Sequence, residues 1–372
     1  MGGTRMSNFD RRYWDSSENT LHSNEFDESI LDSIYRTTSE LKMIGKIILS
    51  TSGTASSPKL SVISKHAMLC SASSVNSHLN ICSSDKWLCC LPTTHVSGLS
   101  IHARASLSNS NIVELTHKWS PNDFIKHIND HQITLCSLVP SQLYDLMSLD
   151  HEPNAELRAL IIGGDKLNEE TRNKALNLGW PVILTYGMTE TCSQVATEIS
   201  PGEGMQALDL WDIKFSSEDE LLVRGDALFD GYIEQTGKNW HFTEPFSDDG
   251  WFLTGDIAEL NNNNITITGR KDEQVKILGV KINLKQLRLS VSSLYGQSIT
   301  LMSIPDSRKG SKIVMVADKS SDHTSAFNEY NSSVKSIERA DELIVIDKIP
   351  RTSLGKLALK ELYDTLEKRI DA

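Results

Sequence analysis

The segment Lys46-Ile47-Ile48-Leu49-Ser50-Thr51-Ser52-Gly53-Thr54-Ala55-Ser56-Ser57-Pro58-Lys59 runs from an apolar strand pattern into a hydroxyl-rich turn that closes on a lysine. Amides freed by Gly53, the hydroxyls of Thr51, Ser52 and Thr54, and the cation of Lys59 could surround a triphosphate. The stretch does not fit the G-x-x-x-x-G-K-S/T pattern of ordinary P-loop enzymes, because no glycine precedes Lys59 and Leu60 follows it. Tyr186-Gly187-Met188-Thr189-Glu190-Thr191 offers a ring to stack on a base, a hydroxyl at Thr189 for a phosphate and a carboxylate at Glu190 for Mg2+. Trp251 to Asp256 places an acid after a tight turn, suited to a pair of ribose hydroxyls. Gly269 to Gly279 is dense in charge between two apolar runs and reads as a hinge with a ligand-facing Arg270. Pro350-Arg351-Thr352-Ser353-Leu354-Gly355-Lys356 sets a lysine on a Gly-containing turn before the terminal helix. Each has a plain alternative: a Ser/Thr loop, a helix cap, a turn, a solvated connector, a surface lysine. Gly202-Glu203-Gly204-Met205-Gln206-Ala207 superficially matches a dinucleotide fingerprint, but it follows Pro201 rather than a clear strand and is rejected as a cofactor site.

Elements able to position these groups are visible in the hydrophobic pattern. Ile47 to Leu49, Trp87 to Leu91, Ile112 to Leu115, Thr134 to Leu138, Leu157 to Ile162 and Val182 to Tyr186 read as buried strands alternating with helices. That alternation predicts crossover helices and a largely parallel sheet. Ser120 before Pro121, Pro140, and Asn168 are helix starts. From about 205 short β-like runs separated by Asp, Asn and Gly predict a β subdomain. Beyond Asp272 the mixture of strands with a helix at Leu357 to Lys368 predicts a small α+β domain. The expected fold class is α/β: a polar lead-in over 1–44, a large ATP- and acyl-binding domain over 45–271, and a small mobile domain over 272–372.

The chain has 372 residues, enough for two or three domains, with 39% apolar and 23% charged residues and a net charge of −12. The acidic balance argues against a general nucleic-acid or anionic-membrane binder, so any anionic ligand must be met by local cations, amides or a metal. The 6 cysteines show no paired spacing, which speaks against a zinc site and for reduced thiols in a cytoplasmic protein. Met1 to Asp27 lacks a signal-like apolar core, and no run is long enough to span a membrane.

In their order and spacing the five motifs resemble those of the adenylate-forming superfamily of acyl-CoA synthetases, luciferases and peptide-synthetase adenylation domains. The likeness covers about 45–360. The family's phosphate loop is matched by Thr51 to Lys59, except that Ala55 and Ser56 replace a Thr-Gly pair. Leu91-Pro92-Thr93-Thr94-His95-Val96-Ser97-Gly98, Leu138 to Leu143 and Tyr186 to Gln194 look most like the o-succinylbenzoate-CoA ligases of menaquinone biosynthesis. The resemblance implies an AMP-forming acid-thiol ligase: ATP and a carboxylate give an acyl-adenylate and pyrophosphate, and the CoA thiolate then displaces AMP to give a thioester. It implies Lys356, His95 and Thr189 as catalytic residues, Lys356 bridging carboxylate and α-phosphate and His95 ordering the acid and gating CoA. A satisfied core histidine is the rival for His95. Glu190 would hold Mg2+, and Thr51, Ser52, Gly53, Thr54 and Lys59 the phosphates. Gly163, Gly164, Asp165, Tyr186 and Gly187 would border the adenine, Asp256 and Arg270 the ribose, and Gly279 the pantetheine passage. The small domain would rotate about Asp272 between the two steps. The partners are then ATP, CoA and a small carboxylic acid, with no nucleic acid and no membrane span; a homodimer is allowed. A diacid substrate would need a buried cation or donors, for which Ser97, His102 and Arg104 are candidates. The alternatives are a ligase for another aryl or fatty acid, or a catalytically weak nucleotide-binding module.

Overall fold

A computed structural model describes residues 9–22, 28–50, 59–115, 118–236, 239–271, 274–278, 280–306, 308–352 and 357–370. The chain divides into two compact units. One comprises Met1–Lys214, Leu222–Leu253 and Leu260–Thr266, and the other Phe215–Leu221, Thr254–Glu259 and Ile267–Ala372.

In the larger unit, strands Asn111–Glu114, Lys86–Cys89, Leu135–Leu138, Ala159–Ile162 and Val182–Met188 lie side by side in that order, all parallel. Every residue of Leu135–Leu138 and Ala159–Ile162 is buried, as expected for strands covered on both faces. Phe124, Ile128, Leu143, Leu146 and Trp180 pack over one face against Leu88, Cys136, Leu160 and Val182. Removing each such large side chain from water contributes about 1.5–3 kcal/mol. The helices on this face begin where the sequence places their starts. Ser120 accepts from the Asp123 amide ahead of Pro121–Asp130. Pro140 opens Pro140–Met147 while Gln142 Oε1 accepts the Val139 N–H, and Asn168 accepts from the Glu170 amide ahead of Glu169–Asn177.

The amino-terminal ends of the parallel strands are tied by Asp85. Its carboxylate accepts from Arg158 Nε and Nη2 at 2.8 and 2.7 Å, from Thr134 Oγ1 at 2.7 Å and from the Cys82 amide at 2.9 Å. Burial by itself would raise this carboxyl, but the Arg158 hydrogen bonds outweigh it and hold it down at about 2.

Two expectations are corrected here. Lys46–Ser50 does not join the parallel sheet. It belongs to a separate five-stranded sheet ordered Thr20–His22, Lys46–Ser50, Lys59–Ser64, Gly231–Thr236, Asn239–Thr243, and it pairs antiparallel with Lys59–Ser64, Ser50 opposite Leu60. A parallel partner would need a crossover of a dozen or more residues, and too few separate these strands. The polar lead-in, in whose sequence Leu31, Ile34, Leu41 and Ile44 offer at most one amphipathic helix, is also more than that. Besides Glu28–Glu40 it forms Arg11–Asp15 and the strand Thr20–His22, which pairs parallel with Lys46–Ser50. The buried Lys65 ammonium clamps it by donating to Ser16 Oγ, Ser16 O and Glu18 O at 2.7, 3.2 and 3.0 Å.

The smaller unit is α+β. Ile299–Asp306 pairs antiparallel with Gly310–Asp318, which pairs parallel with Ala340–Ile346. Alternate residues serve two cores. Leu301, Ile313 and Met315 pack with Leu284, Val291 and Tyr330 from the helices Leu284–Tyr295 and Thr324–Ser333. Met302, Ile304, Val314 and Val316 pack with Leu362 and Leu366 from Leu359–Ile370. Asn283 is the N-cap of Leu284–Tyr295 and accepts from the Gln286 amide at 3.1 Å.

A third correction concerns Trp251 to Asp256. These residues do not form a turn; all but Trp251 lie within the continuous strand Phe252–Asn261, which Gly255 kinks with φ +73°.

Candidate functional site at the carboxyl edge of the parallel sheet

Parallel packing brings several chemistry-bearing turns to one edge of the larger unit. After Lys86–Cys89 comes the turn Leu91 to His95, after Ala159–Ile162 the pair Gly163-Gly164 with Asp165, and at the end of Val182–Met188 the turn Thr189–Thr191. Ligands of open α/β sheets dock outside these carboxyl ends.

His95 is the residue at which the helix Val96–Ser108 begins. Its carbonyl accepts the Leu99 amide, its own amide donates to Pro92 O at 3.1 Å, and its ring is half-buried. The helix can approach the turn because residue 98 is glycine: a Cβ there would lie 2.3 Å from Pro92 O and 2.5 Å from Leu91 O. The position of His95 is thus set by backbone packing.

The motif Tyr186 to Thr191 forms a hairpin rather than a strand leading into a helix. Val182–Met188 turns through the short 3-10 segment Thr189–Thr191 and returns antiparallel as Ser193–Thr197, with a bulge between Tyr186 and Gly187. A Cβ at Gly187 would sit 1.5 Å from Ser193 O, so the bulge closes only around glycine. Thr191, fully buried, staples the turn: its hydroxyl accepts from the Met188 amide and donates to Met188 O, both at 3.1 Å. Tyr186, Thr189 and Glu190 are left half-buried on the edge. Next to them, Gly163 lies where a Cβ would meet Thr185 Cγ2 at 2.7 Å, and Gly164 takes φ +87°. The two glycines let the chain turn flat beside Val182–Met188, while Asp165 Oδ1 accepts the Lys166 amide at 2.8 Å.

Glu190 is held from two sides. The Phe229 amide donates to its carbonyl at 2.8 Å and the Tyr232 hydroxyl to its Oε1 at 2.7 Å. Among the described residues Oε2 has no hydrogen-bond partner. One hard carboxylate oxygen fits Mg2+, which is bound through one or two carboxylates with water and phosphate oxygens rather than in an all-protein cage. Lys59, which ends the proposed phosphate loop, lies 3.0 Å from Glu234 Oε1 and 3.6 Å from the Tyr232 ring centre. Nothing in the pattern of the sequence had singled out Tyr232, an isolated aromatic in a strand with no motif around it.

Of the three candidates for meeting a second substrate carboxylate, Arg104 is the buried cation. It is 2% exposed, and its Nη2 donates to Ser193 Oγ at 2.9 Å, on the same hairpin as Glu190. Among the described residues its Nε has no partner and no carboxylate pairs with it. Burial pushes this guanidinium down to about 9. His102 is 1% exposed, its ring tilted against Phe9 with centres 4.7 Å apart, and driven by burial to about 4, hence neutral. Ser97 is half-buried in the first turn of the helix.

In the smaller unit, Arg270 Nη1 donates to Asp256 Oδ1 at 3.2 Å. Gly255 lets the guanidinium lie close: a Cβ there would be 3.0 Å from Arg270 Nη2. Lys271 braces this pair, its ammonium on Glu218 and Glu220 and its amide donating to Gly255 O at 2.7 Å. Asp256 and Arg270 are therefore adjacent. Thr51, Ser52, Gly53, Thr54, Asp272, Gly279 and Lys356 lie outside the described residues.

A parallel α/β unit with a carboxylate-bearing hairpin at its carboxyl edge, followed by a small α+β unit, is the build of a two-unit α/β protein that docks a ligand at that edge. The chain belongs to the AMP-binding enzyme family, whose model matches residues 46–233. Among its relatives, the 2-succinylbenzoate–CoA ligase of Staphylococcus epidermidis is 28% identical over 331 residues, covering 85% of this chain and 69% of that protein. The O-succinylbenzoate coenzyme A synthetase from Bacillus subtilis, solved with ATP and magnesium ion, aligns with TM-score 0.73 and 25% identity over 86% of this chain and 70% of that one. The same synthetase with the acyl-adenylate intermediate aligns with TM-score 0.76 and 23% identity over 92% and 78%, a likeness of fold.

Proposed function

We propose that this chain joins a carboxylic acid to CoA through an acyl-adenylate, with ATP and Mg2+, and that the acid is o-succinylbenzoate, making o-succinylbenzoyl-CoA for menaquinone biosynthesis. The single observation that favours this acid is Arg104, a buried guanidinium without a carboxylate partner among the described residues, bonded to the hairpin that carries Glu190. A buried unpaired cation is costly, and a substrate with a second carboxylate gives it a reason to persist.

Joining carboxylate to triphosphate brings anions together, so the site must supply positive charge and donors. Glu190 is the residue for Mg2+, which when bound offsets the charge on the phosphates. Lys59 and the hydroxyls of Thr51, Ser52 and Thr54 serve the phosphates, and Thr189 adds a hydroxyl there. Tyr186, Gly187 and the flat turn Gly163 to Asp165 border the base, while Asp256, oriented by Arg270, accepts from the ribose hydroxyls. Lys356 bridges the substrate carboxylate and α-phosphate during adenylation. His95 orders the acid and gates CoA, and Gly279 leaves room for pantetheine.

Carboxylate-dependent exchange of pyrophosphate into ATP tests the reading, using o-succinylbenzoate, benzoate and fatty acids in parallel. Exchange is expected with o-succinylbenzoate foremost; its absence with every acid would leave a nucleotide-binding module without ligase activity. Lys356→Ala should lose exchange by about 10²-fold or more yet still convert preformed acyl-adenylate to thioester. Equal loss of both steps contradicts the role given to Lys356.

A further inference from the structure

We propose that Tyr232 is the positioning residue for the metal-binding carboxylate, fixing Glu190 through its hydroxyl while its ring gives the Lys59 ammonium a resting place. The inference rests on reading Glu190 as the Mg2+ residue. Tyr232 is 7% exposed, and its ring lies edge-on to Phe229 at 4.6 Å. Phe229 in turn donates its amide to the Glu190 carbonyl. The segment 229–232 therefore grips both the backbone and the side chain of Glu190, and the hydroxyl bond at 2.7 Å engages Oε1 only. That bond fixes the carboxylate plane and sets which oxygen is presented to a cation. Outer hydrogen bonds of this kind orient metal-ligating carboxylates and tune their affinity.

The other side of Tyr232 concerns Lys59. Strand pairing places Glu234 opposite Lys59 and Tyr232 opposite Ser61, so Tyr232 and Glu234, two apart, share a face. The ammonium contacts both, at 3.6 Å from the ring centre and 3.0 Å from Glu234 Oε1. Burial would raise the Glu234 carboxyl, but hydrogen bonds from Lys59 and Thr243 outweigh it and keep it ionised. The charge of Lys59 is thus balanced locally, and a phosphate can displace Glu234 while the ring contact persists. One side chain in this way joins the residue that ends the phosphate loop to the residue that takes the metal.

Tyr232→Phe separates the two roles, since it keeps the ring and removes only the hydroxyl. Calorimetric titration of wild type and variant with ATP, in Mg2+ and in EDTA, reads the effect on the metal directly. The expected result is a Kd for ATP in Mg2+ raised about 10-fold or more, with the Kd in EDTA within 2-fold of wild type. An unchanged Kd in Mg2+, or an equal loss in EDTA, overturns the proposal. In a Glu190→Gln background the Tyr232→Phe change should add nothing further; an additive loss also overturns it, and this arm stands where the Tyr232→Phe single variant is hard to produce. If wild type gains nothing from Mg2+, the reading of Glu190 fails with the inference. If wild type gains and Tyr232→Phe keeps that gain, only the inference fails.

Discussion

Replacing Arg104 with methionine should make the enzyme more stable and worse at its own substrate. Burial lowers this guanidinium from its ordinary 12.5 to about 9. At about 1.4 kcal/mol per pKa unit, carrying the charge at neutral pH costs roughly 4–5 kcal/mol. The sign follows from the folded value lying below the unfolded one: the cost is fully present below pH 9 and fades as pH rises toward 12.5. Against it stand the hydrogen bond to Ser193 Oγ, roughly 1.5–3 kcal/mol for a charged donor, and the contact with the Trp87 ring, centred 5.9 Å away and worth about 0.5–1 kcal/mol. Methionine has similar reach and no unpaired nitrogen, so a net gain of about 1–2 kcal/mol is expected, visible as a rise of a few degrees in Tm. The substrate should respond in the opposite sense. Loss of a buried guanidinium–carboxylate pair is worth about 3–5 kcal/mol, which raises KM for o-succinylbenzoate by at least about 10²-fold and leaves thioester formation from a monocarboxylic aryl acid unchanged. Scanning calorimetry and a CoA-thioester assay on both acids measure the two halves. A variant that melts lower than wild type and retains its KM for the diacid would refute the reasoning and make Arg104 a structural residue.

Two further perturbations address the hairpin and the helix. Gly187→Ala places a Cβ 1.5 Å from Ser193 O, and the bulge should open at a cost of about 3 kcal/mol or more; denaturant unfolding together with ATP titration should show both stability and nucleotide affinity reduced, and native affinity would show that the bulge does not shape the site. His102, buried and shifted from 6.5 to about 4, contributes stability that is full above pH 6.5 and is lost as pH falls toward 4, up to roughly 3 kcal/mol, less whatever Glu114, 3.7 Å away and half exposed, restores. His102→Phe should lose markedly less stability than wild type across that window, and unfolding curves that fall in parallel for both proteins would refute the assignment.

Much of this architecture was legible in the sequence because the strands are of a kind that sequence displays well. Strands covered on both faces are unbroken apolar runs, and Ser120, Pro140 and Asn168 sit at helix starts where a side chain or a missing N–H satisfies the backbone. Thr254 to Asp256 was misread as a turn for a definite reason. A glycine among Thr and Asp has the composition of a turn, whereas here it serves a kink inside a strand, with φ +73° beside the Arg270 guanidinium. The placement of Lys46–Ser50 was misread because an apolar run does not reveal its partner; only the short connection to Lys59 argues for an antiparallel neighbour. In the site, glycines and charged residues at motif spacing stood out, while Tyr232 did not, since its role depends on the pairing of Gly231–Thr236 with Lys59–Ser64, far apart in sequence. Nor could spacing separate Arg104 from His102: both are buried, and only their partners distinguish a cation held by the hairpin from a neutral ring packed against Phe9.

The fastening of the parallel strands at their amino ends, through Asp85, Arg158 and Thr134, bears on how such a protein can change. The stitch lies at the opposite end of the strands from Leu91 to His95, Gly163 to Asp165 and Thr189–Thr191. Substitutions at Thr93 to His95 leave the stitch untouched, so acid preference can drift there under selection, or be altered in a combinatorial library confined to that turn, with the strands still fastened. The same layout warns against recruiting Asp85 for design: a variant there would look inert by its distance from the chemistry and yet loosen Lys86–Cys89, Leu135–Leu138 and Ala159–Ile162 together.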